Sequence, residues 1–358
     1  MRFNLYPIHW VADPHLDPEP FDHNLLPFDI AEGVRIEALA DRLRPGTFDL
    51  HRRHLGEDLT EVLEEVRYGI VHRYNPEMVV VNGESIGEVQ RNEASEKLVR
   101  EIVACLRLIR PMRQHAMMMR GIVRDEDGSF DVTGFDVPNL WLHEVPEVQK
   151  LWHLRNRDCH DLRQYAPEFL GAMRGEFWKF RMAVQFHELG FFQSQEWKAR
   201  LLMWASAIES IYTTNSREHQ GTAVATERIK WFLGENTPIY APGDLSEFEQ
   251  DPHLTVGQMA NALYNVRNFV AHGDRIPDLY FSNRLRDGMN GSGMFMGVYF
   301  EAMSFIIRTS LLKILRDGLL DHFANAAASE AYFDANDLTR KKIRARQKAA
   351  AQAQPVQP

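Results

Sequence analysis

An arginine and a histidine five residues apart can serve phosphoryl chemistry. The first supplies a permanent forked cation for phosphate oxygens. The second gives and takes protons near neutrality. The chain carries this R-x4-H spacing four times, at Arg67/His72, Arg110/His115, Arg155/His160 and Arg267/His272. With 15 histidines among 358 residues, chance supplies about one such pair, so context must choose.

Arg110 precedes Pro111, so its pair straddles a helix end. Arg155 lies in the charged run RNRDCHD. The two serious candidates are VRYGIVH at 66–72 and VRNFVAH at 266–272. Placed on helices, both read alike. Leu59, Leu63, Val66 and Ile70 form one apolar stripe, and Met259, Leu263, Val266 and Val270 form the other. The opposite faces differ. Glu61 and Glu65 flank His72, whereas Asn261, Asn265 and Asn268 flank His272. Two carboxylates repel an anionic substrate. Three neutral amides offer donors and acceptors. Gly273 and Pro277 then make a helix stop, placing His272 in a last turn whose negative end favours an imidazolium. On an ideal helix Arg267 and His272 diverge by about 140°. A site built on both is therefore expected to need two facing copies, a homodimer.

The elements that must position this site read in two halves. Residues 1–53 read as extended or irregular, 57–74 as an amphipathic helix, and 77–89 as a short strand and turn. Residues 94–110 read as a helix, and 115–137 as a hairpin about Asp127-Gly128. From Pro146 the pattern turns helical, over 146–163, 166–189, 195–214, 222–234, 256–272 and 294–323, with a weaker segment at 329–349. Two long linkers, 234–254 and 273–293, interrupt the series. The second carries Arg275, Arg284, Arg286 and the Gly-rich GMNGSG. The expected organisation is a mixed α/β region at 1–140, a helical domain at 146–325, and a basic, disordered tail at 335–358.

Composition sets outer limits. The charge of -9 and pI near 5.9 do not imply a broad basic face for duplex DNA. Two isolated cysteines, Cys105 and Cys159, make no disulfide framework and suit a reducing cytoplasm. The apolar run 294–307 contains Glu301 and is too short for a membrane span. No paired ligand spacing points to a metal, and no cofactor is expected.

Arg267-Asn268-x3-His272-Gly273, late in a helical domain, resembles the signature of HEPN domains, in particular the large ApeA-like branch. LLMWASAIESIY at 201–212 is similar to that branch's earlier helix with an embedded acid, here Glu209. The resemblance covers about 190–325. It implies a mainly α fold, with a dimerising up-and-down helical bundle preceded by the mixed α/β region as a sensor or partner-binding part. It implies a metal-independent endoribonuclease in bacterial defence or toxin-like RNA cleavage. His272 would be the general acid/base, Arg267 the transition-state cation and Asn268 a polar assistant. Glu209 and Asn265 are candidate substrate contacts, with an ion-pairing role the alternative for Glu209. Members without nuclease activity serve as dimerisation or interaction modules, and that is the competing expectation.

Overall fold

RFNLYPI, near the N-terminus, alternates residues that are apolar on one side and polar or aromatic on the other. It forms the first strand of a sheet, the extended alternative of the reading for 1–53. The computed structural model describes residues 1–8, 21–39, 42–43, 46–49, 51–55, 57–64, 66–77, 79–81, 84–110, 118–136, 154–192, 197–214, 222–239, 255–276 and 292–353. The chain divides into two compact units, Met1–Leu170 and Gly171–Pro358.

The first unit is built on strands β1 (Arg2–Ile8), β2 (Phe28–Ala31), β3 (Val34–Ala38), β4 (Tyr68–Tyr74), β7 (Met118–Val123) and β8 (Phe130–Asp136). They form one six-stranded sheet in the order β2-β3-β4-β1-β7-β8, with every pairing antiparallel. Strands β5 (Val79–Val81) and β6 (Glu84–Ile86) make a separate hairpin. Short helices α1 (Arg52–Leu55) and α2 (Glu57–Glu64) precede β4, and α3 (Glu88–Ile109) follows β6.

The period of two sorts β1 cleanly. Phe3 and Leu5 join Leu55, Leu63, Val71, Met119 and Phe130 in one core. Asn4 and Tyr6 face α3, where the Asn4 amide donates to Ser95 Oγ at 2.9 Å and Arg107 reaches the Tyr6 hydroxyl at 3.4 Å. Gly121 sits at the β7 bulge, where a Cβ would lie 2.0 Å from the Asp131 carbonyl oxygen. Only glycine lets the two strands stay paired there.

This sheet corrects the mainly α reading: the chain is a mixed α/β protein with a helical C-terminal part. The error arises at 57–74. Leu59, Leu63, Val66 and Ile70 keep helical spacing, yet the helix ends at Glu64 and Tyr68–Tyr74 is a central strand. The aromatic and β-branched content of YGIVHRY, and pairing on both edges, outweigh the short-range periodicity.

The helices α4 (Asn156–Arg174), α5 (Trp178–Phe192), α6 (Trp197–Tyr212), α7 (Thr222–Leu233), α8 (Val256–His272), α9 (Ser292–Arg316), α10 (Ala326–Ala335) and α11 (Arg340–Ala353) follow, with short 3-10 helices at His23–Leu25 and Leu320–Phe323. α4 runs through Pro167 and stops at Arg174, so the break expected before residue 166 falls later. The expected helix over 146–153 and most of both linkers, at 240–254 and 277–291, lie outside the described residues.

Within the second unit α6 packs against α5, α7, α8 and α9. It is buried nearly all round, through Leu201, Trp204, Ala205, Ala207, Ile208, Ile211 and Tyr212. The basic tail is helical through Ala353, not disordered. Leu338 and Ile343 are buried, and the guanidinium of the buried Arg228 donates to the Leu338 carbonyl at 3.1 Å.

Candidate functional site

Helix α8 begins and ends on sequence signals. Thr255 accepts from the Gln258 amide while the Gln258 side chain accepts from the Thr255 amide, a reciprocal cap. Gly273 closes the helix in the left-handed region at φ 73°, its N–H returning to the carbonyls of Phe269 and Val270. The Asp274 N–H reaches the Phe269 carbonyl at 2.8 Å. A residue with a Cβ is disfavoured at that φ, so this glycine fixes His272 as the last helical residue.

The inner side of α8 buries Met259, Leu263 and Val266, and the outer side leaves Asn261 and Asn265 exposed. Arg267 lies at the border. Its Nη2 is 2.9 Å from Glu209 Oε1 on α6, and its Nη1 donates to Asn268 Oδ1 at 3.1 Å. Glu209 has its side chain 9% exposed and that of Arg267 is 22% exposed. A carboxylate on so enclosed a helix is costly unless paired. The Arg267 guanidinium supplies the pair, and the pair aims the guanidinium.

Arg267, Asn268 and Glu209 are thus brought together. His272 is not joined to them. It is exposed at the helix end, and among the described residues nothing hydrogen-bonds its ring. Asn265 points to solvent, away from the Arg267–Glu209 pair.

Sequence reasoning missed Tyr264. It is 6% exposed, and among the described residues its hydroxyl has no hydrogen-bond partner. Burial pushes its phenol well above the usual value. The Glu209 carboxylate adds to the rise and the Arg267 guanidinium opposes it. The i, i+3 spacing of Tyr264 and Arg267 on one helix is the available signal. What the spacing lacks is the third member, on α6.

The rival pair does not survive the fold. His72 lies on β4, where residues five apart face opposite sides of the sheet. Its Nδ1 is 2.8 Å from Ser95 Oγ, and burial lowers its pKa. Arg67 instead reaches the Glu64 carbonyl at 2.8 Å. Arg110 is buried near Asp158, at 3.9 Å, and His160 stacks edge-on against Phe28. His115, Arg284 and Arg286 lie outside the described residues. No family model, curated protein or solved structure matches the chain.

Proposed function

We propose that the C-terminal unit is a metal-independent endoribonuclease of the HEPN type, acting as a homodimer. The observation that carries this reading is a guanidinium held at the surface by a buried carboxylate, with an exposed histidine at the end of the same helix. Arg267 binds a non-bridging phosphate oxygen and stabilises the charge that grows there. His272 takes the proton from the ribose 2′-OH. The 2′-oxygen then attacks phosphorus, and the P–O5′ bond breaks. The leaving 5′-oxygen takes a proton from solvent water, and the Arg267 of each site is that of the facing copy. The products are a 2′,3′-cyclic phosphate and a 5′-hydroxyl. Asn268 keeps the guanidinium plane in place.

End-group analysis of a labelled RNA cut in the presence of EDTA tests this chemistry. Cyclic phosphate ends are expected, and a single 2′-deoxy substitution at the cut should block it. Cleavage of the deoxy substrate at the same bond would contradict it.

One observation favours a second reading, a non-catalytic interaction module. Arg267 already has two acceptors within the chain, so a purely structural Arg267 is chemically coherent. That reading expects His272→Ala to keep full biological activity in a phage-challenge or toxicity assay.

A further inference from the structure

Glu209 does more than pair with Arg267. It lines a cleft of about 400 Å³ within the helical unit. The two walls have opposite chemistry. Trp178, Met182 and Phe186 of α5 line one side, at i, i+4 and i+8, an apolar and aromatic stripe. Ser206, Glu209, Ser210 and Thr213 line the other. Their spacing of i, i+3, i+4 and i+7 makes them one polar stripe along α6 and its C-terminal end.

The α6 stripe has a definite hydrogen-bonding sense. Ser206 donates its hydroxyl proton to the Leu202 carbonyl at 2.9 Å, Ser210 to the Ser206 carbonyl at 2.8 Å, and Thr213 to the Glu209 main-chain carbonyl at 2.7 Å. A hydroxyl that has given its proton to the backbone presents lone pairs outward. The wall is therefore a row of acceptors around a carboxylate. Lys179, 6% exposed, stands at the same cleft as a cation, its ammonium donating to the Thr213 carbonyl. Trp178 is 56% exposed at the rim, with the Arg181 guanidinium 5.5 Å from its ring centre.

A ligand matching these walls is flat and aromatic, has adjacent N–H donors on one edge, and has an acceptor beside them. Among RNA bases guanine has that edge: N1–H and N2–H₂ together, with O6 next to them. Uracil offers one donor between two acceptors. We propose that this cleft is a guanine pocket of the RNA strand, with the base stacked against the α5 aromatics and its donor edge on Glu209 and Ser210. The RNA strand rests on the ribonuclease reading. The chemistry of the cleft does not. Because Glu209 also holds Arg267, a base seated there would place its own phosphate beside the guanidinium, so the pocket selects where the strand is cut.

Calorimetric titration of the full chain with guanosine 5′-monophosphate and with uridine 5′-monophosphate tests the pocket independently of cleavage. The two probes share the phosphate and ribose and differ in the base. The guanine nucleotide should bind at least tenfold more tightly. Ser210→Leu, which fills the cleft from a half-exposed position, should abolish that binding with an unchanged thermal midpoint. If Ser210→Leu does not fold, Met182→Trp fills the cleft from the α5 side and carries the same expectation. Equal binding of the two nucleotides, binding of neither, or undiminished binding by the folded filled variant would overturn the pocket. Cut-site mapping on a mixed-sequence RNA separates the two proposals. Selective guanine binding without any cleavage upholds the pocket and sinks the nuclease. Cleavage indifferent to guanine, with no nucleotide binding, does the reverse.

Discussion

At the scale of single residues, the Arg267–Glu209 pair makes a stability claim as well as a chemical one. Removing the guanidinium leaves a carboxylate buried on α6. Arg267→Ala is expected to destabilise the chain by about 2–4 kcal/mol in urea denaturation. Replacing both partners, with Arg267→Met and Glu209→Leu, should recover most of that loss. A single variant as stable as the wild type would show that the pair is incidental. The thiols offer a simpler check. Burial pushes Cys159 up to about 12 and raises Cys105 further. Neither is expected to react with a disulfide reagent until urea unfolds the chain. The Glu209 pairing was not legible from spacing, because its partners sit on different helices. Only packing brings them together, and the family resemblance was the one hint that pointed at Glu209.

At the scale of elements, the legible parts were those with local signals. Helix α8 runs from Val256 to His272 as its spacing and glycine stop indicate, because the Thr255–Gln258 cap and Gly273 fix both ends. The hairpin about Gly128 is likewise written in its turn, with φ 67° at that glycine. β4 was illegible, since a central strand takes its stability from neighbours far away in sequence. The helical segment expected at 329–349 overlaps α10 and α11, but its packing was not legible, since its lysines and arginines look like a solvated tail until Leu338 and Ile343 find a core. Ending the chain after Asn336 should therefore destabilise the helical unit by about 2–3 kcal/mol, through lost apolar burial and a lost acceptor for Arg228.

His72 on β4 gives a pH prediction. Its folded pKa lies below the unfolded value near 6.5, so protonation favours the unfolded chain. Stability from keeping it neutral is full above about pH 6.5 and falls as the pH drops through the folded pKa. His72→Gln should flatten the decline in denaturation midpoint between pH 7.5 and 5.5. An identical decline in both proteins would assign that pH sensitivity elsewhere.

At the scale of the whole molecule, the outstanding requirement is a second copy. Arg267 lies at the border of α8, tied to Glu209 of α6, while His272 stands exposed at the helix end, so on the proposed reading one chain does not close a site around one phosphate. The proposed homodimer closes it by exchanging these groups between two chains. Co-expressed Arg267→Ala and His272→Ala chains should then regain activity that neither has alone, since one composite site keeps both native groups. The expected level is about a quarter of the wild type, on the assumption that half the dimers are mixed and each mixed dimer has one of two sites. No recovery in a verified mixed dimer would place both groups in one chain's own site. The described residues include no helix long and apolar enough to cross a membrane.

Whether His272 moves the proton in RNA cleavage is read in one paired assay. Wild type and His272→Ala are incubated with the same labelled RNAs in EDTA, after their thermal midpoints have been matched. EDTA-resistant cleavage by the wild type is expected, with a loss of at least about 100-fold in the variant and no change in midpoint, because the side chain is exposed. Absence of cleavage by the wild type, or equal cleavage by both, would contradict it.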